Sequence, residues 1–181
     1  DEILEGGLSP EATVMSWRGT SGGISAALQK HDVIMTPGSG GLYLDHYQGD
    51  YKIEPVTIPS APAYLSRTYN YEPVPDTIKS LGLEKHILGV QCNNWSEYMY
   101  TNAKMEYQMY PRSLALAEIA WSPAKKKNFT DFARRVDANS VRLDERHVRY
   151  HIPLPEQPYG SCDKVVITKD TVVTFQTSRP M

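Results

Sequence analysis

The chain has 181 residues, room for one domain with a sizeable core. Hydrophobic residues make up 40% and charged residues 22%, the balance of a globular protein. A net charge of −2 leaves no basic footprint for nucleic acid, and no apolar run is long enough to cross a bilayer as a helix.

Tyr outnumbers Phe by 12 to 3, an excess that suits wet, hydrogen-bonding surfaces such as glycan clefts. Two cysteines, Cys92 and Cys162, do not make a disulfide framework. The chain opens on Asp1-Glu2-Ile3-Leu4 and stops soon after the strand-like stretch 171–175. Both ends read as cut from something longer.

In chain order, residues 12–17 are apolar and β-prone and predict a buried strand ending in Trp17. Residues 24–30 predict a short helix with Ala26, Ala27 and Leu28 inward. Residues 33–36 predict a second strand, and the loop 37–41, rich in Gly, can bring backbone close to a ligand. Residues 50–76 carry five prolines, which excludes a long helix, and a long ordered loop of this kind is usually functional. Residues 76–81 predict one or two helical turns, with Gly82 as the stop.

The third strand is predicted at 87–91, with Cys92 as a small buried thiol at its end. A helix-prone stretch follows at 103–121, interrupted by Pro111. Ser122-Pro123 looks like the cap of the next helix, with Phe129, Phe132, Ala133 and Val136 as its inner face. Residues 139–150 read as a charged surface helix, 153–158 as a linker and 164–175 as two β segments. Strands and helices alternating in this order imply parallel βα units. Three such units are too few to close a barrel, which needs eight.

What the three strands share is how they end. The first ends in Trp17. The second is followed by Tyr43 and Asp45, the third by Trp95 and Glu97. An indole face can stack on the C–H face of a sugar, and carboxylates accept its hydroxyls. Three apolar strands ending in sugar-compatible side chains point to a carbohydrate site.

Each residue also has an ordinary reading. A Trp at a strand end is often core packing, and Tyr43 alone is a plain loop tyrosine. Asp45 suits a cap or turn, and Glu97 a solvated strand end. The five histidines show no metal spacing, and Gly38-Ser39-Gly40-Gly41 lacks the Lys-Ser/Thr of a phosphate loop. Nothing in the sequence calls for a cofactor.

Over about residues 1–125 the chain resembles the β-N-acetylhexosaminidases of glycoside hydrolase family 20. The resemblance rests on Trp17, on Tyr43-Leu44-Asp45 and on Trp95-Ser96-Glu97. The flanks Tyr47-Gln48, Leu88-Gly89-Val90-Gln91 and Tyr110-Pro111-Arg112, with the run 115–121, add to it. All five strand-end residues in family order argue against coincidence.

The resemblance implies an α/β fold, part of a (β/α)8 TIM barrel with strands six to eight present, over residues 1–150. Residues 151–181 would be a linker and the start of a β-rich accessory region. It also implies removal of terminal β-linked N-acetylhexosamine by retaining hydrolysis in which the substrate's own acetamide attacks. Trp17 would wall the acetamide, and Tyr43 would donate to its oxygen. Trp95 would stack beneath the ring, and Asp45 and Glu97 would bind hydroxyls. Charge-assisted bonds of that kind contribute roughly 1.5–3 kcal/mol each.

One departure is large. The family's acid/base Asp-Glu pair, in an H-x-G-G-D-E motif, is absent from this chain, and Asp1-Glu2 lacks the His-Gly-Gly lead. The family's substrate-binding Arg on strand one is absent too. The isolated chain is therefore expected to be inactive and to self-associate through open sheet edges in place of the absent half-barrel. Its parent is expected to be exported. The competing reading is a non-catalytic carbohydrate-binding module.

Overall fold

The computed structural model describes residues 2–152. The linker at 153–158, the β segments within 164–175 and the turn at Cys162 lie outside the described residues.

Three short parallel strands lie side by side in chain order: β1 (Val14–Ser16), β2 (Val33–Met35) and β3 (Ile87–Val90). Val14 sits opposite Val33 and Ser16 opposite Met35. Val33 pairs with Ile87 and Met35 with Val90, with an irregularity between Val33 and Ile34. The central strand is the most buried, since Val33 and Met35 expose nothing. That is the expected state of a parallel strand covered on its faces. Cys92 lies just past β3 rather than in it, and burial pushes its thiol up to about 12.

Helices fill the connections. A single turn, α1 (Glu2–Glu5), precedes β1, and α2 (Ser21–Leu28) joins β1 to β2. Two short helices, α3 (Leu65–Asn70) and α4 (Asp76–Ser80), lie between β2 and β3. After β3 come α5 (Asn102–Met109), α6 (Arg112–Trp121) and α7 (Phe129–Glu145). One core cluster joins Ala26 and Ala27 of α2 to Val33, Met35 and Ile78. A second joins Tyr69, Ala115 and Phe132, where the Tyr69 and Phe132 rings stack at 4.6 Å.

Several expectations need correction. Helix α2 starts three residues early, at Ser21, because Gly23 lets it settle on the sheet. A Cβ at Gly23 would stand 2.6 Å from Met35 Sδ, and its N–H donates to Ser16 Oγ at 2.8 Å. The inward face is then Gly23, Ala26 and Ala27, and Leu28, about 100° further round, points outward at 52% exposure. The proline-rich segment holds α3, a helix the composition hid.

Ser122-Pro123 caps nothing. Residues Ala124–Lys126 form a 3-10 turn, and the real cap of α7 is Asn128, whose side chain accepts from Asp131 N at 3.1 Å. The charged stretch from 139 is no separate helix either: α7 runs unbroken to Glu145 and ends there. Of its expected inner face only Phe132 is fully buried, and Phe129 is 38% exposed. Gly82 does end the α4 region, at φ 66°, and Pro111 does divide the 103–121 stretch into α5 and α6. Among the described residues no helix is long and apolar enough to cross a membrane.

Candidate active site at the strand ends

The loops after the strands continue the sheet's pairing beyond its carboxyl ends. Thr36 N donates to Ser16 O at 3.0 Å, and Gln91 N to Met35 O at 2.9 Å. Further on, Leu44 N donates to Asn93 O at 2.7 Å and Asn93 N to Leu42 O at 2.9 Å, so Tyr43 and Asn93 form a parallel bridge. This pairing sets the 43–45 and 93–97 segments side by side.

Between them and β2, Pro37 enters a 3-10 turn, Gly38–Gly40, that exits through Gly41 at φ 76°. Gly38 lies under the Tyr43 ring: a Cβ there would meet Tyr43 Cδ2 at 3.1 Å. Only a residue without a side chain lets the ring lie so close to the backbone.

The aromatic residues converge. Tyr43 donates its hydroxyl hydrogen to Trp17 O at 3.2 Å, and Gly38 N donates to the same carbonyl at 3.2 Å. The Tyr43 ring meets Trp95 edge-on at 6.4 Å and His46 edge-on at 5.6 Å. Trp17 and Trp95 remain 47% and 50% exposed, with the Arg18 guanidinium 4.9 Å above the Trp17 ring. Burial, and the nearby charge of Asp45, push the Tyr43 hydroxyl above its ordinary range against the pull of Asn93. It is therefore a protonated donor at neutral pH.

Asp45 is the least comfortable group in the site. It is 3% exposed, yet neither carboxylate oxygen has a hydrogen-bond partner among the described residues. Burial pushes its carboxyl above the usual carboxylate range, and the charge of Glu97 adds to the rise. The backbone N–H groups of Asp45 and Trp95, near the carboxylate but not aligned for a hydrogen bond to it, and the charge of Arg112 pull the other way without cancelling the rise. Glu97 is exposed on the neighbouring loop. Tyr43 thus touches both Trp17 and Trp95, and Asp45 feels the charge of Glu97.

Sequence reasoning picked out Arg112 only as part of Tyr110-Pro111-Arg112 and missed its role next to Asp45. Arg112, the first residue of α6, is fully buried. Its guanidinium donates to the carbonyls of His46 at 3.1 Å, Ala63 at 3.2 Å, Gln108 at 2.7 Å and Leu44. Thr57 Oγ1 donates to the Asp45 carbonyl, and Gln108 Nε2 donates to Thr57 Oγ1 at 2.8 Å. Burial lowers the Arg112 guanidinium to about 10, opposed by Cys92, Glu54, Asp45 and Tyr107.

Two of the five histidines are engaged elsewhere. His86 Nδ1 lies 3.4 Å from Asp32, and His151 Nε2 lies 3.5 Å from Glu54. Among the described residues no group of three His, Cys, Asp or Glu side chains is placed to hold a metal.

The carboxyl ends of parallel strands are where (β/α)8 barrel enzymes hold their sites. Comparison with known proteins gives the family. Residues 1–124 match the family model "Glycosyl hydrolase family 20, catalytic domain", and the chain belongs to that family.

The chain is 59% identical to a β-hexosaminidase of Porphyromonas gingivalis over 183 aligned positions, covering 100% of this chain and 23% of that protein. It is 36% identical over 110 positions to a β-hexosaminidase of Vibrio furnissii, covering 61% of this chain and 18% of that one. It therefore spans about a quarter or less of the length of these two curated relatives. Among solved structures it superposes on an exo-β-N-acetylglucosaminidase of Vibrio harveyi in complex with N-acetylglucosamine. The TM-score there is 0.76 at 30% identity, over 83% of this chain and 24% of that one. A Streptomyces plicatus β-hexosaminidase mutant shares the fold, with a TM-score of 0.70 at 20% identity over 83% of this chain and 31% of that one. Membership and fold together imply a TIM-barrel catalytic domain.

Proposed function

We propose that this chain is the C-terminal part of the catalytic barrel of an exo-acting β-N-acetylhexosaminidase, holding strands six to eight. The observation that carries this reading is Asp45. A carboxylate 3% exposed with both oxygens unpartnered, beside a second carboxylate and two half-open indoles, is built for a ligand rich in hydroxyl donors. In this reading Asp45 and Glu97 accept hydroxyls at the non-reducing end and close the pocket beyond it, which enforces exo action. Trp95 stacks beneath the sugar ring. Trp17 walls the acetamide, and Tyr43 turns its hydroxyl from the Trp17 carbonyl to the acetamide oxygen.

The reaction is substrate-assisted retaining hydrolysis. The acetamide oxygen attacks the anomeric carbon, and a carboxylic acid protonates the leaving oxygen. Tyr43 holds the acetamide in a near-attack geometry and stabilises it as charge develops. The acid/base Asp-Glu pair lies outside this chain, so the isolated 181 residues carry half a pocket and no rate. Residues 151–181 would begin an accessory region, and the parent enzyme would act outside the cytoplasm.

The test is hydrolysis of a chromogenic β-N-acetylglucosaminide by the full-length enzyme. Tyr43→Phe is expected to lower kcat by roughly 10²–10³-fold, the cost of losing one preorganised donor. Glu97→Gln is expected to raise KM by about tenfold or more, the loss of one charge-assisted bond. Unchanged kinetics in both variants would overturn the reading. Titration of the isolated chain with N-acetylglucosamine separates the alternative, a binding module, which requires millimolar affinity; the fragment reading expects none.

A further inference from the structure

We infer that Arg112 is the positioning residue that fixes Asp45 for sugar binding, an inference that rests on the role proposed for Asp45. Arg112 lacks a hydrogen-bonded counter-charge among the described residues. It is 0% exposed, yet among the described residues its hydrogen bonds go to carbonyls and the Gln108 amide oxygen, and none goes to a carboxylate. Burying a guanidinium against uncharged acceptors costs desolvation that those acceptors only partly offset. A buried cation of this kind is a poor device for stability alone.

Its choice of carbonyls shows what it serves. Two of the four belong to Leu44 and His46, the residues on either side of Asp45. The carbonyl between them, that of Asp45, is taken by the Thr57 hydroxyl, which Gln108 in turn holds at 2.8 Å. Three consecutive carbonyls are thus clamped from one side by the α5–α6 corner. With its backbone held there, the Cα–Cβ bond of residue 45 has a fixed direction, which limits where its carboxylate can reach. The fork geometry of a guanidinium is needed to reach four carbonyls at once, and a Lys ammonium would serve fewer with looser aim. The Arg112 charge also lowers the energy of an ionised Asp45, the form that accepts hydroxyls.

The experiment is a double-mutant cycle on the full-length enzyme with a chromogenic N-acetylglucosaminide, using Arg112→Lys, Asp45→Asn and the double variant. Arg112→Lys is expected to raise KM by about tenfold while kcat stays within roughly threefold, because sugar positioning is lost and the acetamide chemistry is not. In the Asp45→Asn background the same change is expected to add less than about twofold, since it acts through a group already disabled. Full additivity of the two effects, or an unchanged KM in folded Arg112→Lys, overturns the positioning role. Should Arg112→Lys not fold, Thr57→Val removes one clamp on the Asp45 carbonyl and carries the same cycle with the same expected outcomes. An unchanged KM in Asp45→Asn itself removes the sugar-binding role of Asp45, and with it the basis of both readings. A raised KM there with additive second changes sinks the clamp alone.

Discussion

At the scale of single residues, Asp45 trades stability for binding. Its carboxyl is held above the ordinary carboxylate range, first by burial and then by Glu97. The folded state therefore holds that proton more tightly than the unfolded chain does, and ionised Asp45 opposes folding. The sign follows. The penalty is absent below the ordinary carboxylate pKa, grows as pH rises from there through the raised folded value, and is complete above that value. Asp45→Asn, which removes the charge, is expected to raise the Tm of the full-length enzyme at pH 7. The gain should shrink as pH falls towards about 4, the ordinary carboxylate value of the unfolded chain, below which both states are protonated. The same variant should bind substrate more weakly. Melting curves of both proteins at the two pH values check this, and an Asp45→Asn enzyme less stable at neutral pH would contradict it. A group that costs stability and repays it only on binding has the character of a site residue rather than a cap.

At the scale of elements, α7 shows how local signals mislead. Ser-Pro is a strong helix-start pattern, because Pro suits the first helical position. The chain instead spends residues 124–126 on a 3-10 turn and begins α7 at Asn128, whose backbone N–H also donates to the Tyr69 hydroxyl at 2.6 Å. The cap is thus tied to the second core cluster. Asn128→Ala is expected to cost about 1 kcal/mol, and thermal melting of the full-length enzyme would detect it; an unchanged Tm would mean that the Tyr69 contact alone sets the helix start.

The strands were legible because apolar runs of four or five residues bounded by turn signals leave few alternatives, and their polar endings exposed Trp17, Tyr43, Asp45, Trp95 and Glu97 as a set. Arg112, Thr57 and Gln108 were not legible. Arg112 meets carbonyls 49, 66 and 68 residues away, and a bond to a backbone oxygen leaves no mark on the acceptor's residue type. Leu28 failed for a related reason: small residues at 23, 26 and 27 set the buried face, and apolar character at 28 did not.

At the scale of the molecule, the sheet has two open edges among the described residues. Among the described residues β1 pairs on one side only, with β2, and β3 likewise only with β2. Beside β1 lies a hollow of about 720 Å³ whose lining includes Leu4, Leu8, Val14, Met15 and Trp17. Met15 is 45% exposed there and Leu88 on β3 is 58% exposed, which is unusual for residues of a parallel sheet. A strand edge with free N–H and C=O groups next to apolar side chains is a template for another chain. In the reading proposed above, the preceding barrel strands of the full-length enzyme occupy that place. The isolated 181 residues are then expected to satisfy the edge with one another. Light scattering should give a mass above 20.4 kDa that rises with concentration. Met15→Lys, which sets a charge beside the open edge, should shift the isolated chain towards monomer, because edge lysines oppose edge-to-edge pairing. A monomer at high concentration without any substitution would mean that the edge is already covered within the chain, and the incomplete barrel would no longer account for the exposed face.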